Sequence, residues 1–372
     1  MSPPFSADDH RFMARALQLA AQGLYTTRPN PRVGCVLVKD GRVIGEGAHL
    51  RAGEPHAEVL ALRQAGEAMR GATAYVTLEP CSHHGRTPPC ADALIEAGVA
   101  RVIAAMQDPN PRVAGQGLAR LREAGIEVLA GLLEPQAQAL NPGFIKRMSQ
   151  GLPYVRLKLA ASLDGHTALA SGESKWITSA AARADVHRLR ARSCAVVTGS
   201  GTVIADNPSL TVRDMELPAA WPGQPRRVVL DSALITPPGA AVLGDGGAII
   251  FHDRAADAER VAALSAAGAR LEAVARREGG LDPEQVLCRL AQLEINEVLV
   301  EAGPTLAGAV LRSGLVDELV IYLAPHLMGH DGAPLLRLPG IEVMADRVPL
   351  TVTDLRQVGP DVRITAKIGA NT

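Results

Sequence analysis

Strand-like apolar runs alternate with helical patterns twice along this chain, and one Pro- and Gly-containing stretch separates the two alternations. That arrangement restricts the fold more than any other feature. Helical spacing opens the first alternation over residues 7–22. Phe12, Ala16, Leu19 and Ala20 share one face there, Ser6 is a candidate cap and Gly23 a stop. VGCVLV (33–38) and RVIGEGA (42–48) flank Lys39-Asp40-Gly41, a hairpin signal. A helix from His56, a strand TAYVTL (73–78), a helix from Cys90 to Ala97, and RVIAAM, GLARLREAG and IEVLA up to residue 130 follow. Such alternation predicts a sheet covered by helices on both faces, a three-layer α/β domain.

NPGFIKRMSQGLP (141–153) interrupts the pattern, and the domain boundary is expected there, with domains over 1–147 and 152–372. The second alternation runs from YVRLKLAAS (154–162) through SAAARADVHRLRARS (179–193), CAVVTG, RRVVLD and AIIFHD to DRAADAERVAALSAAG (253–268). EVLVEAG (297–303), PTLAGAVLRSG (304–314), DELVIYLAP (317–325) and DVRITAKI (361–368) close it. Two domains also suit 372 residues, since a single core rarely grows beyond about 250 to 300 residues. Residues 214–296 carry no recognisable motif.

Composition narrows the function. Net charge is −1 and aromatics are 3%. Neither a basic tract for a phosphate backbone nor a stacking platform for bases is evident, so no nucleic-acid partner is expected. MSPPFSADDHRF has no basic segment leading into an apolar one, and no apolar run reaches membrane-spanning length, so neither a signal peptide nor a membrane span is expected. The five cysteines, at 35, 81, 90, 194 and 288, are odd in number and irregularly spaced. Reduced thiols and a cytoplasmic location fit that pattern. Cys35, Cys194 and Cys288 sit in apolar patterns and read as core thiols.

LEPCSHHGRTPPC (78–90) is the unusual loop. Cys81 follows a strand, Cys90 opens a helix, and HAE (56–58) opens another. Helix N-termini favour thiolate over thiol. His56, Cys81 and Cys90 therefore form a candidate three-ligand zinc set with a fourth position for water, as in catalytic sites. Glu58, in the first turn, is placed to take a proton from that water and pass it on. A closed zinc staple, with His83 or His84 as fourth ligand, is the competing reading, but it leaves Glu58 without a role. His83 and His84 individually read as loop or substrate-contact residues. H-x-E with P-C…C is the zinc deaminase pattern. Eight residues rather than two separate Cys81 from Cys90, so the generic spacing is not met.

That departure is itself recognisable. EPCSHHGRTPPC with HAE, PNPRVGCVLV (29–38) and QDPNPRVAGQG (107–117) resembles the bifunctional riboflavin-biosynthesis proteins of bacteria. KLAASLDG (158–165), SGESKWITS (171–179), GTVIADNPSLTVR (201–213) and VEAGPTLAG (300–308) extend the resemblance over the second half. It implies a cytidine-deaminase-like first domain and a dihydrofolate-reductase-like α/β second domain. It implies one Zn2+ per chain on His56, Cys81 and Cys90, with Glu58 as proton shuttle and Asn30 at the pyrimidine edge. The substrate would be 2,5-diamino-6-(5-phosphoribosylamino)pyrimidin-4(3H)-one, deaminated and then reduced at its ribosyl side chain with NADPH. By the same likeness, Ala160, Trp176, Thr202, Asp206 and Ser232 contact NADPH, together with Gly303, Pro304, Thr305, Leu306, Ala307, Gly308 and Ala309. Ser174, Arg190, Leu210, Arg213 and Glu301 contact the substrate, and a homodimer is expected.

From the residues alone the second half says less. No GxGxxG follows its first strand. VEAGPTLAG offers a strand-to-helix turn whose helix N-terminus suits an anion, though such turns abound in α/β folds. Arg190 and Arg213 suit two-pronged phosphate binding, or equally a solvated helix face and a loop charge. Two other accounts are a zinc deaminase of another pyrimidine or a nucleic-acid base with a non-catalytic second domain, and a zinc-stapled binding module.

Overall fold

The computed structural model describes residues 5–82, 88–111, 113–244, 246–277 and 279–369. The chain divides into two compact units, Met1–Gly151 with Leu217–Gly223, and Leu152–Glu216 with Gln224–Thr372.

In the first unit the elements are α1 (Ala7–Ala21), β1 (Gly34–Lys39), β2 (Arg42–Ala48), α2 (Ala57–Ala65), β3 (Thr73–Val76), α3 (Cys90–Ala97), β4 (Arg101–Ala104), α4 (Gln116–Glu123), β5 (Glu127–Ala130), α5 (Glu134–Leu140) and α6 (Pro142–Gln150). The sheet order is β2-β1-β3-β4-β5, with β1 antiparallel to both neighbours and β3, β4 and β5 parallel. Asp40 and Gly41 both have positive φ (50° and 72°), as the expected hairpin requires.

The two faces of β1 explain its continuous apolar run. Cys35 and Leu37 point into a core with Ala57 and Ala61 of α2 and Ala91 and Leu94 of α3. Val36 and Val38 point the other way, against Phe12, Met13 and Ala16 of α1. α2 lies unusually close to β2: a Cβ on Gly47 would sit 2.0 Å from the Ala57 carbonyl oxygen. That contact brings the N-terminus of α2, with His56 and Glu58, down onto the sheet.

The stretch read as a break is instead α6. Pro142 opens the helix, where a missing N–H costs nothing, and Phe144 and Ile145 pack on the α1 face. Proline marked a helix start there rather than a linker.

The second unit contains β6 (Tyr154–Ser162), β7 (His166–Ala168), α7 (Ala180–Arg192), β8 (Ala195–Gly199), α8 (Ser200–Asp206), β9 (Arg226–Leu230), β10 (Ala248–Asp253), α9 (Ala258–Ala266), β11 (Arg270–Val274), β12 (Arg276–Arg277), β13 (Gly280–Leu281), α10 (Pro283–Gln292), β14 (Glu297–Glu301), α11 (Pro304–Arg312), β15 (Glu318–Ala324), β16 (Ala333–Pro334), β17 (Leu350–Val358) and β18 (Asp361–Ile368). Nine strands form one sheet, in the order β11-β10-β9-β8-β14-β6-β15-β18-β17. All pairs are parallel up to β15, and β18 and β17 then add antiparallel. α10 and β11 lie inside the region without motifs. Asp282 caps α10 and Pro283 takes its first position, both ordinary helix-start signals. Cys35 and Cys194 are buried as expected, whereas Cys288 is only partly covered, because it sits off the buried stripe of α10.

Candidate active sites

In the first unit the loop after β3 and the starts of α2 and α3 meet. His56 is the N-cap of α2, held extended at φ −73° and ψ 165°. Its Nδ1 lies 3.2 Å from Cys90 Sγ and 3.7 Å from Cys81 Sγ. The three donor atoms all fall within 4.8 Å of one another. Tetrahedral zinc with ordinary bond lengths needs N to S and S to S separations of about 3.6 to 3.8 Å, so this donor set fits the metal. Two thiols and one imidazole are also the right chemistry for it. His83 and His84 lie outside the described residues.

The thiols are already unequal. Cys81 is lowered well below the ordinary thiol value by a hydrogen bond from Cys90, against burial, with further help from His56 and the Cys90 backbone N–H, 3.3 Å away. Cys90 is pushed up by that same bond and by burial. Glu58 is 3% exposed. Burial first, and the Cys81 thiolate second, raise its carboxyl to about 7. A group that takes and gives protons at neutral pH works best near that value.

Two further residues shape this site that sequence reading did not single out. His49, also buried, stacks edge-on to His56 with ring centroids 5.2 Å apart, and its Nε2 lies 3.1 Å from Asn30 Nδ2. Asn30, the expected pyrimidine contact, is thereby tied to His56. Glu79, in the LEPC stretch, accepts from the backbone N–H groups of Asp108, Gly115, Gly117 and Leu118 at 2.9 to 3.2 Å. It joins two stretches that are separate motifs in the sequence. Gly117 is needed for the approach, since a Cβ there would lie 1.9 Å from the Pro80 carbonyl oxygen, next to Cys81. An acidic residue directly after the apolar run TAYVTL was the available signal for Glu79.

In the second unit a cavity of about 1490 Å³ opens along the ends of β6, β8 and β14. A single small ligand usually occupies about 300 to 1,000 Å³, so this space admits more than one. Of the expected cofactor contacts, Ala160, Trp176, Thr202, Asp206, Ser232, Gly303, Pro304, Thr305, Leu306 and Ala309 line it. Ser174, Arg190, Leu210, Arg213 and Glu301 line it too. Ala307 and Gly308 do not. Ala307 is in the core, and Gly308 abuts the Arg337 backbone, so that side of α11 faces inward. Asp164 is also off the cavity, accepting from the backbone of Met328 and Gly329 as a turn residue.

The cavity suits a dinucleotide. α11 begins at Gly303 with no side-chain cap, so its first N–H groups are open to an anion. Trp176 is 68% exposed, with the Arg183 guanidinium 4.4 Å over its ring.

Arg190 departs from the sequence reading. Its Nε and Nη2 donate to Glu301 at 2.6 and 2.9 Å, and Nη1 donates to the Thr211 carbonyl at 3.0 Å. It is a brace for Glu301 and for the 209–213 loop rather than a free phosphate clamp, because a nearly buried carboxylate needs a paired cation. Burial works to raise Glu301, but Arg190 and then Lys158 hold it below the usual range. Lys158 lines the same cavity and is lowered by burial, against Glu301. It lies within KLAASLDG, yet periodicity alone shows it only as one position of a strand.

Comparison with known proteins covers both halves. Residues 6–106 match the cytidine and deoxycytidylate deaminase zinc-binding region. Residues 153–364 match the RibD C-terminal domain. The riboflavin biosynthesis protein RibD of Escherichia coli is 54% identical over 95% of this chain and 98% of its own length. That of Haemophilus influenzae is 50% identical, over 97% and 98%. The solved structure of Acinetobacter baumannii RibD superposes with a TM-score of 0.90 at 47% identity, covering 98% of this chain and 99% of that one. A Thermotoga maritima diaminohydroxyphosphoribosylaminopyrimidine deaminase/5-amino-6-(5-phosphoribosylamino)uracil reductase gives 0.82 at 35%, over 97% and 99%. A non-catalytic second half is therefore not favoured. The chain belongs to the RibD family, the bifunctional riboflavin-biosynthesis enzymes that join a zinc-dependent deaminase to an NADPH-dependent reductase.

Proposed function

We propose that the first unit deaminates 2,5-diamino-6-(5-phosphoribosylamino)pyrimidin-4(3H)-one and that the second reduces the ribosyl side chain of the product. The observation that carries this reading is the convergence of His56, Cys81 and Cys90 beside a buried Glu58. His56, Cys81 and Cys90 would hold zinc, which when bound would supply a Lewis acid able to bring a water's pKa from 15.7 to about 7. Glu58 takes the proton and delivers it to the departing 2-amino group. Asn30, oriented by His49, holds the pyrimidine edge. In the second unit the cavity would hold NADPH, which when bound would supply hydride. The start of α11 would hold its phosphates, and Trp176, Thr202, Asp206 and Ser232 line the same cavity. Lys158 and Glu301, braced by Arg190, meet the reacting end of the substrate with one donor and one acceptor.

The direct test is NADPH absorbance after adding the diaminopyrimidinone phosphate, with and without a zinc chelator. The expected result is oxidation that the chelator stops and that already deaminated substrate restores. No oxidation with either substrate overturns the reductase reading.

A homodimer and a cytoplasmic location are part of the reading. All five cysteines are free thiols, which suits a reducing compartment. No helix among the described residues is long and apolar enough to cross a membrane. β17 is an edge strand that exposes Leu350, Val352 and Leu355. Such an edge invites pairing with a second copy. Sedimentation velocity is expected to give a dimer, and Leu355→Glu to weaken it. A wild-type monomer at all concentrations overturns the dimer.

A further inference from the structure

His187 is a histidine that none of the motif matches singles out. It lies on α7, 8% exposed, and it lines the cavity of the second unit. Its Nδ1 is fully buried and has no hydrogen-bond partner. A proton on Nδ1 would have no acceptor, so the neutral ring carries its proton on Nε2. Arg190 is three residues on, on the same face of α7. The loop that Arg190 grips through the Thr211 carbonyl carries Arg213, which also lines the cavity. Arg213 bonds only weakly within the protein, at 3.3 Å to Ser209 Oγ and 3.6 Å to exposed Asp214. A nearly buried imidazole and a weakly held guanidinium thus line one cavity, in an enzyme whose substrate carries a phosphate ester.

We propose that His187 donates a hydrogen bond through Nε2 to the phosphate ester of the pyrimidine substrate, beside Arg213, and so sets the preference for the phosphorylated substrate over its free sugar form. The proposal rests on the reading of this cavity as the reductase site. The charged groups around the ring are Arg190 on its own helix, Arg213 and Asp214 on the loop, and Glu301 on β14. Burial, then Arg190 and Arg213, depress the His187 ring below its ordinary value. It is thus a neutral donor when the site is empty, and a phosphate dianion would favour its protonated form.

The test uses the full-length, zinc-loaded protein and titration calorimetry with 5-amino-6-(5-phosphoribitylamino)uracil, its dephosphorylated form and NADP+. His187→Leu is expected to weaken the phosphorylated ligand about ten- to a hundredfold, the size of a lost hydrogen bond to a charged group. The dephosphorylated ligand and NADP+ are expected to change less than about twofold, well under the tenfold that 1.4 kcal/mol represents. His187→Gln, which keeps an N–H near Nε2, is expected to recover most of the affinity. Equal losses for both uracil ligands, or none for either, overturn the proposal. Failure of the wild-type protein to bind NADP+ would instead overturn the reading of the cavity, and the proposal with it.

Discussion

Glu58→Gln is expected to stop ammonia release while leaving zinc content and the reduction of deaminated substrate unchanged. Gln keeps the size and one acceptor but has no proton to exchange. General acid–base transfer contributes about 10² to 10⁴ in rate, so the deamination rate should fall by that factor, about 3 to 5 kcal/mol of barrier. The carboxyl is well placed for such a loss. It is buried beside the three donor atoms, and burial with the Cys81 thiolate holds it near neutral pH. Ammonia assay, metal analysis and the reductase assay together decide the matter. A variant that still releases ammonia at the wild-type rate would leave Glu58 without the shuttle role. One that loses zinc would show it to be structural.

Cys81→Ser should separate the two activities. Serine offers a hydroxyl that stays protonated at neutral pH, whereas the surroundings of Cys81 lower its thiol toward the metal-binding thiolate. Loss of a direct ligand should cost at least the roughly 100-fold in metal affinity that removing a supporting outer partner can cost. Deamination should fall to background and the protein should purify with little zinc. Reduction of supplied deaminated substrate should stay within about twofold of wild type, because the second unit has a core of its own, built on β6, β8 and β14. A twofold change is small beside the tenfold that 1.4 kcal/mol represents. Loss of both activities would sink the picture of two independent sites.

What could be read from the chain depended on how local the information was. Strand and helix alternation follows from side-chain periodicity, so most elements were legible to within a few residues. α6 was not, because Pro142 and Gly143 look like a linker until Phe144 and Ile145 find the α1 face. β17 was not, because its apolar residues are exposed in the isolated chain and no burial pattern marks them. The candidate zinc donors were legible from residue type and from their places at element ends, and the structure brings the three together.

The sequence by itself pointed to an α/β fold and to the family, and it marked His56, Cys81, Cys90 and Glu58 as candidate site residues. These rest on periodicity, on metal-ligand chemistry and on long motifs. Only the tertiary structure decided how the groups are partnered. It showed that Arg190 braces Glu301, that Glu79 ties the LEPC stretch to the start of α4, that His49 orients Asn30, and that Ala307 and Gly308 face inward. Partnerships of this kind join residues 19 to 111 positions apart. No local pattern encodes them, because burial and pairing of a polar group are set by whichever distant segment packs beside it.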